Sequence, residues 1–165
     1  QVHPAYINPL ADQIQAFWQA NGRPEKLVMS FHGLPKQCTD RGDPYCRDSY
    51  ETARALAQRL KLSDDEVQVT FQSRFGPAAW LQPYTEPTLE MMAKNGVKRI
   101  DVVCPGFLAD CLETLEEISI ECRDTFMAAG GEQFRYIPCL NDSQAWVEGL
   151  TDMTLEQLQG WPIKA

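Results

Sequence analysis

Apolar positions recur along the chain with two periods, and each change of period marks a new element. In residues 8–20, Leu10, Ile14, Phe17 and Trp18 fall on one face at helical spacing. Asn8 can cap this helix and Pro9 suits its first turn. KLVMSF (26–31) reads as a short buried strand. The polar, turn-rich stretch HGLPKQCTDRGDPYC follows, with Gly-Asp-Pro as its strongest turn signal. Residues 48–60 form a second helix with Ala53, Leu56, Ala57 and Leu60 inward. EVQVTF (66–71) alternates cleanly and predicts a second strand.

The unusual stretch QSRFGPAAWLQPYT separates that strand from a helix over 86–95, which Thr85 can cap and Gly96 can end. RIDVVC (99–104) is a third strand, followed by Pro-Gly. The longest helix runs over 111–128 and stops at Gly130-Gly131. QFRYIP (133–138) is a fourth strand. A last helix begins over 143–150, and Thr154 with Gln157 suggests one further short turn. Strand and helix thus alternate four times. This predicts an α/β fold with a parallel four-stranded sheet and helices on both faces. Ligands of such sheets bind beyond the carboxyl ends of the strands. The loops there begin at His32, Gln72 and Pro105, and they have the oddest compositions in the chain.

The length of 165 residues suits one domain, and no linker divides it. With 44% apolar and 23% charged residues the chain reads as globular. No apolar run approaches the ~20 residues of a membrane span, and QVHPAYINPL has no signal-peptide pattern. A net charge of −8 makes nucleic acid a poor partner. None of the six cysteines forms a C-x-x-C pair, which predicts free thiols and a reducing cytoplasm. G-x-G-x-x-G, the P-loop pattern and G-x-S-x-G are all absent, so neither nucleotide binding nor a serine-hydrolase elbow is suggested.

Only two histidines occur. His3, near the terminus, suits a surface or capping role. His32 opens the first binding-side loop. Its position fits a turn-bonded imidazole, and equally a base or metal ligand. Asp110 and Glu113 have the spacing of a helix cap with a carboxylate at the third position. Glu113, Glu117 and Glu121 recur every four residues with no Lys or Arg between Asp110 and Cys122. That is either a solvated acidic face or a track for a divalent cation, and one imidazole plus carboxylates suits Fe(II). Arg74, Trp80, Phe75, Tyr84 and Phe107 offer a cation and broad apolar walls suited to a large flat aromatic ligand.

The segments SFHGLP (30–35), RGDPY (41–45), FQSRFGP (71–77), WLQPYT (80–85), CPGFLADCLETLEEI (104–118) and YIPCLND (136–142) resemble the ferrochelatases, most of all those of Gram-negative bacteria. The match runs from about residue 4 to about residue 150. It implies a Rossmann-like, chelatase-type fold, with residues 1–165 forming one C-terminal domain and the N-terminal domain absent. It implies Fe(II) as substrate and porphyrin as partner, with haem as product.

Under this resemblance His32 and Glu113 are catalytic and metal-binding, and Glu117 and Glu121 extend the metal track. Ser73, Arg74, Trp80, Phe107 and Asp110 bind substrate. Cys111 stands where many members have a second histidine. No cysteine-rich tail is visible up to Lys164, so no [2Fe–2S] cluster is expected. Cys38 and Cys46 flank the loop after His32 as remote candidates. No transmembrane segment is expected, and peripheral membrane contact of a full-length enzyme stays open. Two other readings remain: a non-catalytic metal- or porphyrin-binding module, and a chelatase for another tetrapyrrole.

Overall fold

The computed structural model describes residues 1–161, so Lys164 lies outside the described residues. Four parallel strands form one sheet in the order β2-β1-β3-β4: β1 (Lys26–His32), β2 (Val67–Gln72), β3 (Arg99–Val103) and β4 (Gln133–Tyr136). β1 shows how the sequence builds two layers. Leu27, Met29 and Phe31 pack toward α1 (Pro4–Asn21) and α3 (Tyr45–Leu60), whereas Val28 packs toward α4 (Thr85–Lys94) and α5 (Arg123–Ala128). Alternate side chains of a strand point to opposite faces, so a strand apolar throughout buries both. The expected parallel sheet with helices on both faces is therefore the observed one.

The element ends differ from the sequence reading in informative ways. α1 begins at Pro4, not residue 8, because His3 Nδ1 accepts from the Ala5 N–H at 3.2 Å and caps the helix there. Pro9 consequently lies inside the helix and offers no N–H to the Ala5 carbonyl. α6 (Gln144–Gln157) crosses at that point, and Gly149 lies so close that a Cβ would sit 2.3 Å from Ala5 O. Gly149 is thus a contact glycine, and the last helix runs on without the expected break. The polar stretch after β1 contains the short helix α2 (Lys36–Asp40). Glu66 closes a 3₁₀ turn with Ser63 rather than starting β2.

The longest helix is not α-helical at its start. Residues Glu113–Cys122 form a π-helix, and only Arg123–Ala128 return to α geometry as α5. Gln72 Nε2 donates to Glu113 O at 2.7 Å, occupying the carbonyl that an α-helix would offer to residue 117. Nothing in the local sequence announces this, because the competing donor comes from a different strand. The expected cap does not form either: no side chain caps this helix, and the Asp110 carboxylate is turned toward Tyr136 and Asn141.

Candidate functional site

His32 and Gln72 are the last residues of β1 and β2 and stand opposite each other in the parallel register. The central pair β1 and β3 is where the strand order changes direction, which opens a crevice at the carboxyl ends. His32 Nδ1 lies 2.7 Å from Gly33 O. A carbonyl only accepts, so Nδ1 donates and Nε2 is the nitrogen left to take a proton or a metal. Tyr45 Oη donates to His32 O at 2.9 Å, fixing the backbone behind the ring. The Phe107 ring centroid lies 6.2 Å from the imidazole.

Gly33 must be a glycine. A Cβ there would lie 2.8 Å from Gln72 O and 3.2 Å from a ring carbon of Trp80. Without it, Gly33 N–H donates to Gln72 O at 2.7 Å and the Trp80 ring packs beside the chain just past His32. Trp80 is held in turn by its indole N–H, which donates to Phe75 O at 2.9 Å.

Beneath the crevice is a buried polar network. Ser30 Oγ donates to Gln72 Oε1 at 2.7 Å and lies 2.8 Å from Thr85 Oγ1. Gln72 therefore links β1, the start of α4 and, through Glu113 O, the π-helix. The sequence reading counted Gln72 as the first residue of a loop and missed this role. Strand alternation with a long amide at the strand end was the available signal.

His32, Ser73, Arg74, Trp80, Glu113, Glu117 and Glu121 line one open cleft of about 720 Å³. Glu113 is half-buried, and three influences hold its carboxyl below the ordinary range: the Cys111 side chain, its own backbone N–H and the nearby His32. Glu117 accepts from Ser73 N at 2.7 Å and Ser73 Oγ at 2.5 Å. These two bonds hold Ser73 in the left-handed region at φ 61°, which a non-glycine residue rarely adopts. Glu121 is exposed farther along the helix. Arg74 stacks over the Tyr84 ring at 4.6 Å.

Phe107 and Asp110 do not line this cleft. The Asp110 carboxylate accepts from Tyr136 Oη at 2.6 Å, Asn141 Nδ2 at 2.8 Å and Thr114 Oγ1 at 3.2 Å. Burial alone would raise its pKa, but the bonds from Asn141, Tyr136 and Cys139 outweigh that and lower it. Burial pushes the neighbouring Cys139 thiol up to about 12. All six cysteines are free. Among the described residues no group of three or more His, Cys, Asp or Glu is preassembled to hold a metal. One imidazole and one ionised carboxylate suit an ion in transit better than a resident one.

A family model described as ferrochelatase matches residues 1–158. The ferrochelatase of Bordetella pertussis is 67% identical over 159 residues, covering 96% of this chain and 44% of that protein. The ferrochelatase of Janthinobacterium sp. (strain Marseille) is 56% identical over 160 residues, covering 97% and 44%. The chain thus spans less than half the length of these curated relatives. Among solved structures, SirB from Bacillus subtilis with Fe3+ superposes with a TM-score of 0.60 at 14% identity, covering 92% of this chain and 54% of that one. At that identity the likeness concerns the fold.

Proposed function

The chain belongs to the ferrochelatase family, and on that premise we propose that it carries the metal-handling half of a site that inserts Fe(II) into protoporphyrin IX to form haem. One observation carries the reading: His32 and Glu113 line the same cleft, with Nε2 left to take a proton or a metal and the Glu113 carboxyl held ionised beside it. A porphyrin nitrogen must lose its proton and turn a lone pair toward the metal. Nε2 of His32 accepts a pyrrole proton, and Glu113 takes the complementary task of holding the metal or the second proton. Trp80 and the neighbouring aromatic wall press on the ring, and buckling it costs ~1–5 kcal/mol drawn from binding. Glu117 and Glu121 extend a negative path along the π-helix that draws Fe(II) inward. Phe107 and Asp110 support the site from behind it. No helix among the described residues is long and apolar enough to cross a membrane.

A second reading has its own support. Because the curated relatives are more than twice as long as the matched segment, the isolated chain is one wall of a divided cleft. It then binds metal or porphyrin without turnover until the N-terminal half is added. The test is an anaerobic mixture of the chain with protoporphyrin IX and Fe(II), followed through the main porphyrin absorption band. Parallel samples carry His32→Ala and the added N-terminal half. Conversion lost with His32→Ala supports the first reading, and conversion only after adding the missing half supports the second. No porphyrin binding in any mixture defeats the first reading, and absence of Fe(II) binding as well defeats the second.

A further inference from the structure

Asn141, in the loop after β4, grips the loop after β3 at several atoms. Its backbone N–H donates to Leu108 O at 2.9 Å. Its Oδ1 accepts from Asp110 N at 2.9 Å, and its Nδ2 donates to Asp110 Oδ2 at 2.8 Å. Nδ2 also donates to Cys139 O at 3.1 Å. The amide is oriented unambiguously, because Oδ1 faces an N–H and Nδ2 faces two acceptors. The residue sits at φ 50°, in the left-handed region that asparagine enters more readily than most side chains. Residues 104–112 lead from β3 straight into Glu113. The π-helix they enter has no side-chain cap of its own. Its first turn forms where Thr114 N and Leu115 N donate to Cys111 O at 3.1 and 2.8 Å, one residue past Asp110. Whatever fixes Asp110 therefore fixes the turn that carries Glu113.

We propose that Asn141 is a positioning residue for the metal-handling pair: by holding Asp110 at both its N–H and its carboxylate, it sets where the Glu113 carboxylate stands relative to His32. This step rests on the metal-handling reading above. Gln72 holds the Glu113 carbonyl from the β2 side, and Asn141 holds the approach to the same residue from the β4 side. Partners of this kind orient a ligand without touching the metal. Asn141 is exposed, so changing its side chain empties no core.

The test is an anaerobic Co(II) titration of the chain and its variants, read by visible absorption and expressed per folded molecule. Asn141→Gly adopts φ 50° without strain and removes only the side-chain bonds. Asn141→Asp keeps an oxygen for Asp110 N–H and sets a carboxylate against the Asp110 carboxylate. Both variants bind Co(II) about five- to tenfold more weakly than the native chain. Asp110→Asn combined with Asn141→Asp exchanges the two groups, restores a donor between them and recovers most of the affinity lost in Asn141→Asp. Gly149→Ala, destabilised at the contact of α6 with α1, keeps the native affinity within about twofold. Native affinity in both Asn141 variants overturns the proposal and leaves the metal-handling reading intact. So does an equal loss in Gly149→Ala, or an exchanged pair no better than Asn141→Asp alone. A native chain that binds no Co(II) overturns the metal-handling reading and the proposal with it.

Discussion

Gln72 holds Glu113 by its backbone. The amide Nε2 at the end of β2 donates to the main-chain oxygen at the start of the π-helix at 2.7 Å. The same side chain accepts from Ser30 two residues before His32. The strand that ends in the imidazole and the helix that carries the carboxylate are thereby joined through one buried side chain.

Replacing Gln72 with leucine keeps the bulk and removes these bonds, together with the one its Oε1 accepts from Cys104 Sγ at 3.5 Å. The Glu113 carbonyl loses its partner, and the expected loss is ~1–3 kcal/mol in urea unfolding. Because the π-helix also loses its anchor, Co(II) affinity in an anaerobic titration falls several-fold beyond any change in folded fraction. Metal affinity unchanged in the folded variant would show that Gln72 supports stability alone.

The Ser73 and Glu117 pair predicts a split effect. Glu117→Gln keeps one acceptor oxygen and puts an amide donor in place of the other, so only one of the two Ser73 donors keeps its acceptor. The left-handed Ser73 backbone then relaxes, and Ser73→Gly, which adopts φ 61° without strain, rescues stability in the double variant. Chemical denaturation of the two single variants and the double variant measures this. Purely additive losses would mean that the pair does not hold the backbone.

The alternation of strands and helices and the two-sided sheet were legible because periodicity is local. Val28 against Met29, and Leu56 against Leu60, state their layers by spacing alone. The place of His32 at the cleft was legible because it stands at the carboxyl end of a buried strand. The π-helix was not, and the bond that its first carbonyl accepts comes from residue 72, 41 positions away from Glu113. Asp110 was misjudged for a similar reason. Its spacing from Glu113 fits a cap, but Tyr136 and Asn141, distant in sequence, claim its oxygens first.

Gly149 is the point of closest approach between α6 and α1. A methyl group there would meet Ala5 O at 2.3 Å, a backbone atom that cannot swing aside. Gly149→Ala should therefore destabilise by ~1–3 kcal/mol, despite alanine's better helix propensity. A thermal melt checks it, and a raised midpoint would mean that α6 slides freely on α1.

Asp101 is fully buried in β3 and takes Arg135 Nε at 2.7 Å, Arg135 Nη2 at 2.9 Å and Trp18 Nε1 at 2.7 Å. Arg135 also donates to Asn21 O and Gly22 O, closing the end of α1. Asp101→Leu leaves a nearly buried guanidinium unpaired, at an expected cost of ~3–5 kcal/mol. Asp101→Leu with Arg135→Met should recover much of that loss. Urea unfolding of the pair tests it, and an unrecovered double variant would assign the loss to Trp18 and the α1 end instead.

Asp110 gives the fold a dependence on acid. Its carboxyl is held below the usual value of 3.8 by the donors around it. A group depressed in the folded state contributes stability above its unfolded value and loses it as pH falls through the folded one. Asp110 is only half-buried, so solvent screening keeps the contribution small. The unfolding free energy should hold steady down to about pH 5 and then fall more steeply below pH 3.8 than other carboxylates explain. Asp110→Asn should be less stable at neutral pH and should flatten that acid limb. The two curves should converge at the acid end, once Asp110 is protonated in the folded state as well. Parallel curves at all pH values would mean that Asp110 acts by hydrogen-bond geometry alone, with its charge contributing nothing.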